Sequence, residues 1–214
     1  MQQPQVWVAA LIGDLVASRE AADRLELQRK IDSVFTEIDE LVGGKPAFTI
    51  GDEFQGSYPT IAEAVEASLQ LHLRTVGVTE MRIGIGWGEL IAEDPERTPF
   101  AQDGPCWWRA REAIEAVEHS GRGRGPRLHT AIRTETTLDP LLNHYLLLRD
   151  TLLEGFDETD AQIAIGLLSG RSQTELAGLL GVNKSSVSRR ANAHGILALI
   201  EARVLGVLPV PVGR

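Results

Sequence analysis

Apolar and polar positions follow one another along the first two thirds of the chain in the pattern of alternating strands and helices. Residues 6–12 form a continuous apolar run, which is typical of a buried strand. Apolar residues then recur every three or four positions over residues 20–42, as on one face of a helix, and Gly43-Gly44 ends this pattern. Similar patterns predict strands over 47–50, 53–57, 81–87 and 128–133, helices over 61–73 and 105–120, and a proline-containing loop over 90–104.

The order strand–helix–strand–strand–helix–strand predicts an α+β fold of the ferredoxin-like type. In that fold the first two strands are parallel, and the third strand runs back between them. The turn between strands two and three therefore lies at the end of the sheet where strand one finishes. We expect Asp14, which follows strand one, and Asp52, which lies in that turn, to meet there.

From about residue 138 onward the apolar pattern is helical throughout. A connecting helix is predicted over 141–154, and shorter helices over 157–169, 172–180, 183–193 and 196–205. We therefore expect three parts: a ferredoxin-like domain over 1–137, a connecting helix within 138–156, and an all-α domain over 157–214.

Composition narrows the class of protein without deciding its function. The 214 residues are 43% hydrophobic and 24% charged, which is ordinary for a globular protein, and no apolar run approaches the roughly 20 residues of a membrane span. The single cysteine, Cys106, excludes an internal disulfide and fits a cytoplasmic location. Of the net charge of −9, residues 1–156 carry −10 and residues 157–214 carry +1. This distribution argues against general coating of nucleic acid but permits a local DNA contact near the C-terminus.

Asp14 and Asp52 are candidate metal ligands because two carboxylates at neighbouring strand ends repel each other unless a cation neutralises them. Ligation by a few protein oxygens suits Mg²⁺, which takes further ligands from water and phosphate. The candidate phosphate contacts are nearby residues that offer amide, hydroxyl or guanidinium donors: Gly13, Ser18, Arg19 and Gly51. The alternative is an ordinary pair of turns in which each Asp only bonds local backbone.

A second candidate site lies in residues 172–190. Ser172 and Glu175 form a capping box, Gly181 makes a turn, and Asn183 can cap the following helix. Two closely crossed helices with this spacing resemble helix-turn-helix DNA-binding proteins. The second helix exposes candidate DNA contacts, namely Lys184, Ser185, Ser186, Ser188, Arg189 and Arg190. The alternative is a helical hairpin whose polar face is only hydrated.

The motifs at the strand ends resemble those of nucleotidyl cyclases. Residues 51–54, G-D-E-F, match four of the five signature letters of diguanylate cyclases. An Asp at the end of strand one, I-G-D in the hairpin and R-I-G-I-x-x-G over 82–88 are similar to class III nucleotidyl cyclases. This resemblance implies that Asp14 and Asp52 hold a metal, with Glu53 as a third ligand.

The whole chain resembles the SatD family more closely. The resemblance is carried by G-D-L-V-A-S-R over 13–19, T-I-G-D-E-F-Q over 49–55, and the C-terminal helix-turn-helix pattern. SatD proteins are bacterial, are linked to a streptococcal acid-tolerance locus, and have no settled biochemistry.

Several positions depart from the class III cyclase pattern. Thr49 stands where those cyclases have a purine-selecting Lys, and Trp108 and Glu112 stand in the register of the transition-state Asn and Arg. Arg111 lies one position away from that register and is a candidate nucleotide contact. These departures favour a domain that binds a nucleotide without cyclising it.

The sequence thus favours a DNA-binding regulator whose cyclase-like domain senses a nucleotide with Mg²⁺. Cyclase-like domains usually pair head to tail and helix-turn-helix proteins usually read two half-sites, so a homodimer is expected. One alternative is an active nucleotidyl cyclase or nucleotidyltransferase. Another is a sheet domain that has lost its ligands and serves only for dimerisation.

Overall fold

The computed structural model describes residues 6–16, 24–49, 51–92, 102–120 and 127–203, and shows the expected mixture of α and β structure. The strands are β1 (Val6–Leu15), β2 (Ala47–Phe48), β3 (Glu53–Tyr58), β4 (Met81–Ala92), β5 (Gln102–Asp103) and β6 (Thr130–Arg133). The helices are α1 (Arg24–Val42), α2 (Ile61–Thr75), α3 (Pro105–Ser120), α4 (Asp139–Leu153), α5 (Glu158–Leu168), α6 (Gln173–Leu180), α7 (Lys184–Ala193) and α8 (Ile196–Glu201). Within these ranges, no helix is both long and apolar enough to cross a membrane.

The sheet has the strand order β2-β3-β1-β4-β5, and β6 pairs with β4 in parallel. Strand β1 is antiparallel to both of its neighbours, β3 and β4, and β3 is antiparallel to β2. Strands β1 and β2 therefore run in the same direction, with β3 running back between them, as the sequence predicts. The turn between β2 and β3 consequently lies beside the end of β1.

Strand β1 includes Gly13, Asp14 and Leu15, and β3 and β4 pair with it on both sides. Strand β4 is longer than the sequence pattern predicts: it continues to Ala92, and its end pairs with β5 within the segment expected to be a loop. Local sequence does not show this extension, because pairing with a separate segment creates it.

The two faces of the sheet are packed in different ways. On one face, large apolar side chains of β1 and β4, including Leu11, Ile83 and Trp87, pack against α1 and α2. On the other face, α3 lies so close to β4 that a Cβ atom at Gly84 or Gly86 would overlap main-chain atoms of the helix. The alternation of large and small residues in β4 therefore places α3 in direct contact with the strand backbone.

The C-terminal helices enclose a second core. It comprises buried residues of α2 and of the segment from α4 to α8: Leu69, Leu73, Leu153, Phe156, Ala161, Ile163, Ala164, Leu176, Ala177, Val187, Ala191, Ile196 and Leu199. Arg203 adds a two-point ion pair with Glu66 of α2, at 2.9 and 3.0 Å. The C-terminal helices thus pack on α2 through both apolar and charged contacts.

Candidate functional site at the strand ends

The pairing of β1 with its neighbours determines which side chains meet at the end of the sheet. Asp14 lies opposite Glu53 of β3 and opposite Arg82 of β4. The amide of Leu15 donates a hydrogen bond to the main-chain carbonyl of Asp52 at 3.3 Å. The segments that carry Asp14 and Asp52 are therefore adjacent, as the predicted strand order requires.

Each acidic group at this end of the sheet contacts an arginine. Arg82 donates from Nε to Oδ1 of Asp14 at 2.8 Å and from Nη2 to Oδ2 at 2.6 Å. Arg111 of α3 makes a similar two-point contact with Glu53, at 2.7 and 2.9 Å. Arg24, at the start of α1, pairs with Asp52.

Glu118 of α3 joins this group, since its Oε1 lies 3.7 Å from Nη1 of Arg82. The close packing of α3 on β4 brings both Arg111 and Glu118 to the strand ends. We call the set the strand-end cluster; it consists of Asp14, Arg24, Asp52, Glu53, Arg82, Arg111 and Glu118. It contains four carboxylates and three guanidinium groups, so it is close to charge balance without a metal.

The two carboxylates that face each other across β1 and β3 have shifted pKa values of opposite sign. Burial raises the pKa of Asp14, and the negative charges of Glu118 and Glu53 raise it further. These effects together outweigh the contact with Arg82, which lowers this pKa. Burial also acts to raise the pKa of Glu53, but the hydrogen bonds and charge of Arg111, with a hydrogen bond from Gln55, lower it overall. The pKa of Arg111 is in turn raised, chiefly by its hydrogen bonds to Glu53.

The chemistry of these side chains suits Mg²⁺, although their present contacts are with arginines. Carboxylate oxygens are the protein ligands that Mg²⁺ prefers, and one or two of them suffice when phosphates complete the shell. Among the described residues, no three acidic, histidine or cysteine side chains are grouped closely enough to hold a metal by themselves. Asp14 and Asp52 would therefore hold Mg²⁺ together with ligand oxygens, in competition with the contacts that Arg82 and Arg24 now make.

The candidate phosphate contacts have different surroundings in the fold. Gly51 adopts a left-handed conformation with φ of 69°, is exposed, and has open space on its side-chain side. Gly13 instead lies inside β1 beneath the ring of Phe54, which explains this glycine by packing. Ser18 and Arg19 lie outside the described residues. Gly51 is thus accessible to a ligand, whereas the glycine at position 13 is explained by its packing against Phe54.

Sequence reasoning missed three members of the strand-end cluster: Arg24, Arg82 and Glu118. A signal for Arg82 was present, because it begins the R-I-G-I motif and the predicted strand order places that strand beside strand one. Arg24 and Glu118 lie on helices whose rotation relative to the sheet depends on packing, so local sequence does not reveal their role.

The C-terminal helix pair has the local structure that the sequence predicts. Ser172 and Glu175 form the capping box of α6, Gly181 ends this helix in a left-handed conformation with φ of 66°, and the side chain of Asn183 caps α7. Val187, on the inner face of α7, is fully buried.

The predicted DNA contacts on α7 fall into three groups, the last of which is Arg190 alone. Lys184, Ser185 and Arg189 are exposed, and Lys184 and Arg189 make no ion pair within the described part of the chain. Ser186 and Ser188 are half-buried.

Arg190 differs from the rest because it connects α7 to the start of α5. Its Nη1 donates to Asp157 at 2.9 Å and to Asp160 at 2.8 Å. Asp160 is 1% exposed, accepts a hydrogen bond from the main-chain amide of Asp157 in the capping box of α5, and also contacts Nδ1 of His194 at 2.7 Å. The surroundings of Arg190 thus assign it a structural contact that sequence reasoning did not foresee.

Comparisons with solved structures give cyclases of low sequence identity. A bacterial light-regulated adenylyl cyclase is 17% identical, with 61% of this chain and 77% of that chain covered and a TM-score of 0.46. The guanylyl cyclase Cya2 is 17% identical, with 54% and 73% covered and a TM-score of 0.43. The dimeric guanylyl cyclase domain of the RhoGC fusion protein from the aquatic fungus Blastocladiella emersonii is 15% identical, with 53% and 76% covered and a TM-score of 0.43.

No curated protein matches the sequence. A protein-family comparison matches residues 8–205, which include both the strand-end cluster and the C-terminal helices. The chain therefore belongs to the SatD family.

Proposed function

We propose that this SatD protein is a DNA-binding regulator that responds to a nucleotide bound with Mg²⁺ at the strand-end cluster. The observation that carries the proposal is the meeting of Asp14, Asp52 and Glu53 with three arginines at one end of the sheet. Exposed or half-exposed ion pairs contribute little stability, so their charged groups are available for exchange with a ligand.

A Mg²⁺–nucleotide complex offers partners to both halves of the cluster. Mg²⁺ would supply the positive charge that the carboxylates now receive from arginines. The guanidinium groups of Arg24, Arg82 and Arg111 would then be free to bind phosphate oxygens, for which their planar donor groups are well matched. Such an exchange replaces one charge-balanced state by another, which is a suitable basis for a reversible response.

The proposed output is DNA binding by α6 and α7. It is supported by the capped helix pair and by exposed Lys184 and Arg189, which are free of ion pairs among the described residues. The ligand would act in one of two ways. It would change either the orientation of the proposed domain 1–137 relative to the proposed domain 157–214, or the geometry of a homodimer. Two copies would present two such helix pairs to two DNA half-sites.

Nucleotide binding is tested by calorimetry with each nucleoside triphosphate in the presence of Mg²⁺. Binding to the wild type is expected, and Asp14→Asn and Asp52→Asn should each weaken it at least tenfold. Asp32→Asn is the matched control, since Asp32 is exposed on α1 outside the cluster. Binding that is equally weak in the wild type and in the double variant Asp14→Asn/Asp52→Asn would refute the sensor.

DNA binding is tested by fluorescence anisotropy with the promoter of the protein's own operon. Lys184→Ala and Arg189→Ala should each weaken binding and reduce its salt dependence by about one phosphate contact. Arg29→Ala, which removes an exposed arginine from α1, is the control and should have no effect. Unchanged affinity in both α7 variants would contradict the DNA-binding role.

The same protein preparation distinguishes the sensor from an enzyme. Thr49 donates to the main-chain carbonyl of Glu53, and the indole of exposed Trp108 donates to Asp103, so two of the three positions that depart from the cyclase pattern are engaged locally. We therefore expect no pyrophosphate release from any nucleoside triphosphate. Release that is abolished by Asp52→Asn would instead favour a nucleotidyl cyclase or nucleotidyltransferase.

A further inference from the structure

A cleft of about 730 Å³ lies between the sheet and α4. Its lining includes Met81, the residue before Arg82, but no residue of the strand-end cluster. It is lined by the end of α2, the turn over 76–80, the start of β4, the residues just before β6, and the end of α4. Its volume is in the range of pockets that hold small organic ligands. Val76, Val78, Met81, Leu153 and Phe156 give it a substantial apolar surface.

One residue of the cleft lining carries a buried acceptor that has no partner within the described residues. Asp150 lines the cleft and is only 2% exposed. Its Oδ1 accepts a hydrogen bond from Nε of Arg149 at 2.8 Å and lies 2.6 Å from Nη2 of the same side chain, whereas its Oδ2 is buried and accepts no hydrogen bond within the described residues. A buried carboxylate oxygen without a donor is unfavourable, so a ligand that supplies an N–H group would be stabilised here.

The charged groups of the cleft lining are mostly acidic, which favours a ligand that donates hydrogen bonds. Arg149 donates to Oγ1 of Thr130 at 2.8 Å. The hydroxyl of Thr130 then donates its own proton to Nε2 of His72 at 2.9 Å. This assignment places the proton of neutral His72 on Nδ1. The other charged groups of the lining are Glu80, Glu154 and a single arginine, Arg127, so the cleft does not favour phosphate.

We infer that this cleft binds a small molecule that presents an N–H donor group to Asp150 on a partly apolar body. Two sources share this chemistry, namely a nitrogen heterocycle of the nucleoside type without phosphate, and an aliphatic amine. Because the lining includes α2, β4 and α4, the ligand would connect the sheet with the helices that follow it. The inference does not depend on the proposed Mg²⁺–nucleotide site.

The test is calorimetry of the full-length wild type in Mg²⁺-free buffer with adenosine, guanosine, cytidine and uridine in one arm, and putrescine and spermidine in the other. Saturable binding of one class is expected, and inorganic phosphate should not compete with it. Val78→Trp, which places a bulky side chain in the lining, should weaken binding at least tenfold. Val78 is 43% exposed, so this change leaves the core intact.

Val6→Trp is the matched control, because Val6 is 51% exposed and pairs with Leu90, at the opposite end of β4 from the cleft. Binding should persist in Val6→Trp and in Asp52→Asn, which separates this site from the strand-end cluster. Asp150→Asn should also lose binding, and if this variant does not fold, Val78→Trp decides. Absence of binding by every probe, or binding that survives in Val78→Trp, would overturn the inference.

Discussion

Two arginine–aspartate pairs in this protein consist of the same chemical groups but have very different surroundings. Arg149 and Asp150 are both almost completely buried, and Arg149 also donates to Ser68 and Thr130. Arg82 and Asp14, at the strand ends, retain 32% and 20% side-chain exposure. A buried pair cannot exchange partners without leaving a charge desolvated, whereas water can replace either partner of an exposed pair. The same chemical pair therefore serves as fixed structure in one region and as an exchangeable contact in the other.

The largest effect is expected when the buried pair is broken. Arg149→Met leaves Asp150 charged and buried without its guanidinium partner, so we expect a loss of about 3–5 kcal/mol in the free energy of unfolding. Urea denaturation followed by circular dichroism measures this loss. A cost below about 1 kcal/mol would remove the distinction between the two pairs.

The next effect depends on pH and concerns His72, which is linked to Arg149 through Thr130. Burial lowers the pKa of His72 to about 4, so the folded protein binds fewer protons than the unfolded chain between pH 6.5 and 4. The contribution of His72 to the free energy of unfolding is fully present above pH 6.5. It falls by up to about 3 kcal/mol as the pH decreases toward 4.

The measurement compares urea denaturation of the wild type and His72→Gln at several pH values from 7 to 4. The variant should be less sensitive to pH, because it lacks the titrating group. His144→Gln, at an exposed position on α4, should retain the dependence of the wild type. Equal dependence in all three proteins would show that His72 is already well solvated.

A smaller effect is expected at Arg190, whose partner Asp160 is buried although Arg190 itself is partly exposed. Arg190→Ala leaves Asp160 with His194 as its remaining side-chain contact and should cost about 1–3 kcal/mol. Arg189→Ala should change stability by less than about 0.5 kcal/mol. Thermal unfolding of both variants separates the structural arginine from its exposed neighbour before either is assayed for DNA binding.

The smallest effect on stability is expected at the strand ends. Arg82→Met should cost no more than about 1 kcal/mol, because water can solvate Asp14. It should nevertheless raise the pKa of Asp14 further, since the contact with Arg82 opposes the effect of burial. Carbon-13 NMR of the Asp14 carboxyl group measures this shift, and a lower pKa in the variant would contradict the role given to Arg82.

The sequence predicted features that depend on local pattern or on strand order. The capping box of Ser172, the turn at Gly181 and the adjacency of the Asp14 and Asp52 segments all follow from such information. The α+β class was available from periodicity, and the arrangement of β1, β2 and β3 from the ferredoxin-like order of the elements.

Features that depend on the packing of distant segments were not predicted. The contact of Arg111 with Glu53 requires α3 to lie directly on β4, and the contact of Arg190 with Asp160 requires α7 to reach the start of α5. An arginine in a motif therefore indicates a charged contact, but its partner is determined by the tertiary structure.

The glycine positions of β4 have a mechanical consequence. Because α3 rests on main-chain atoms at Gly84 and Gly86, no intervening layer of side chains can change rotamers to let the helix slide. Arg111 and Glu118 are thus carried on a stiff support. A perturbation at the strand ends must either be absorbed by a few side chains or displace helix and strand together as one rigid body.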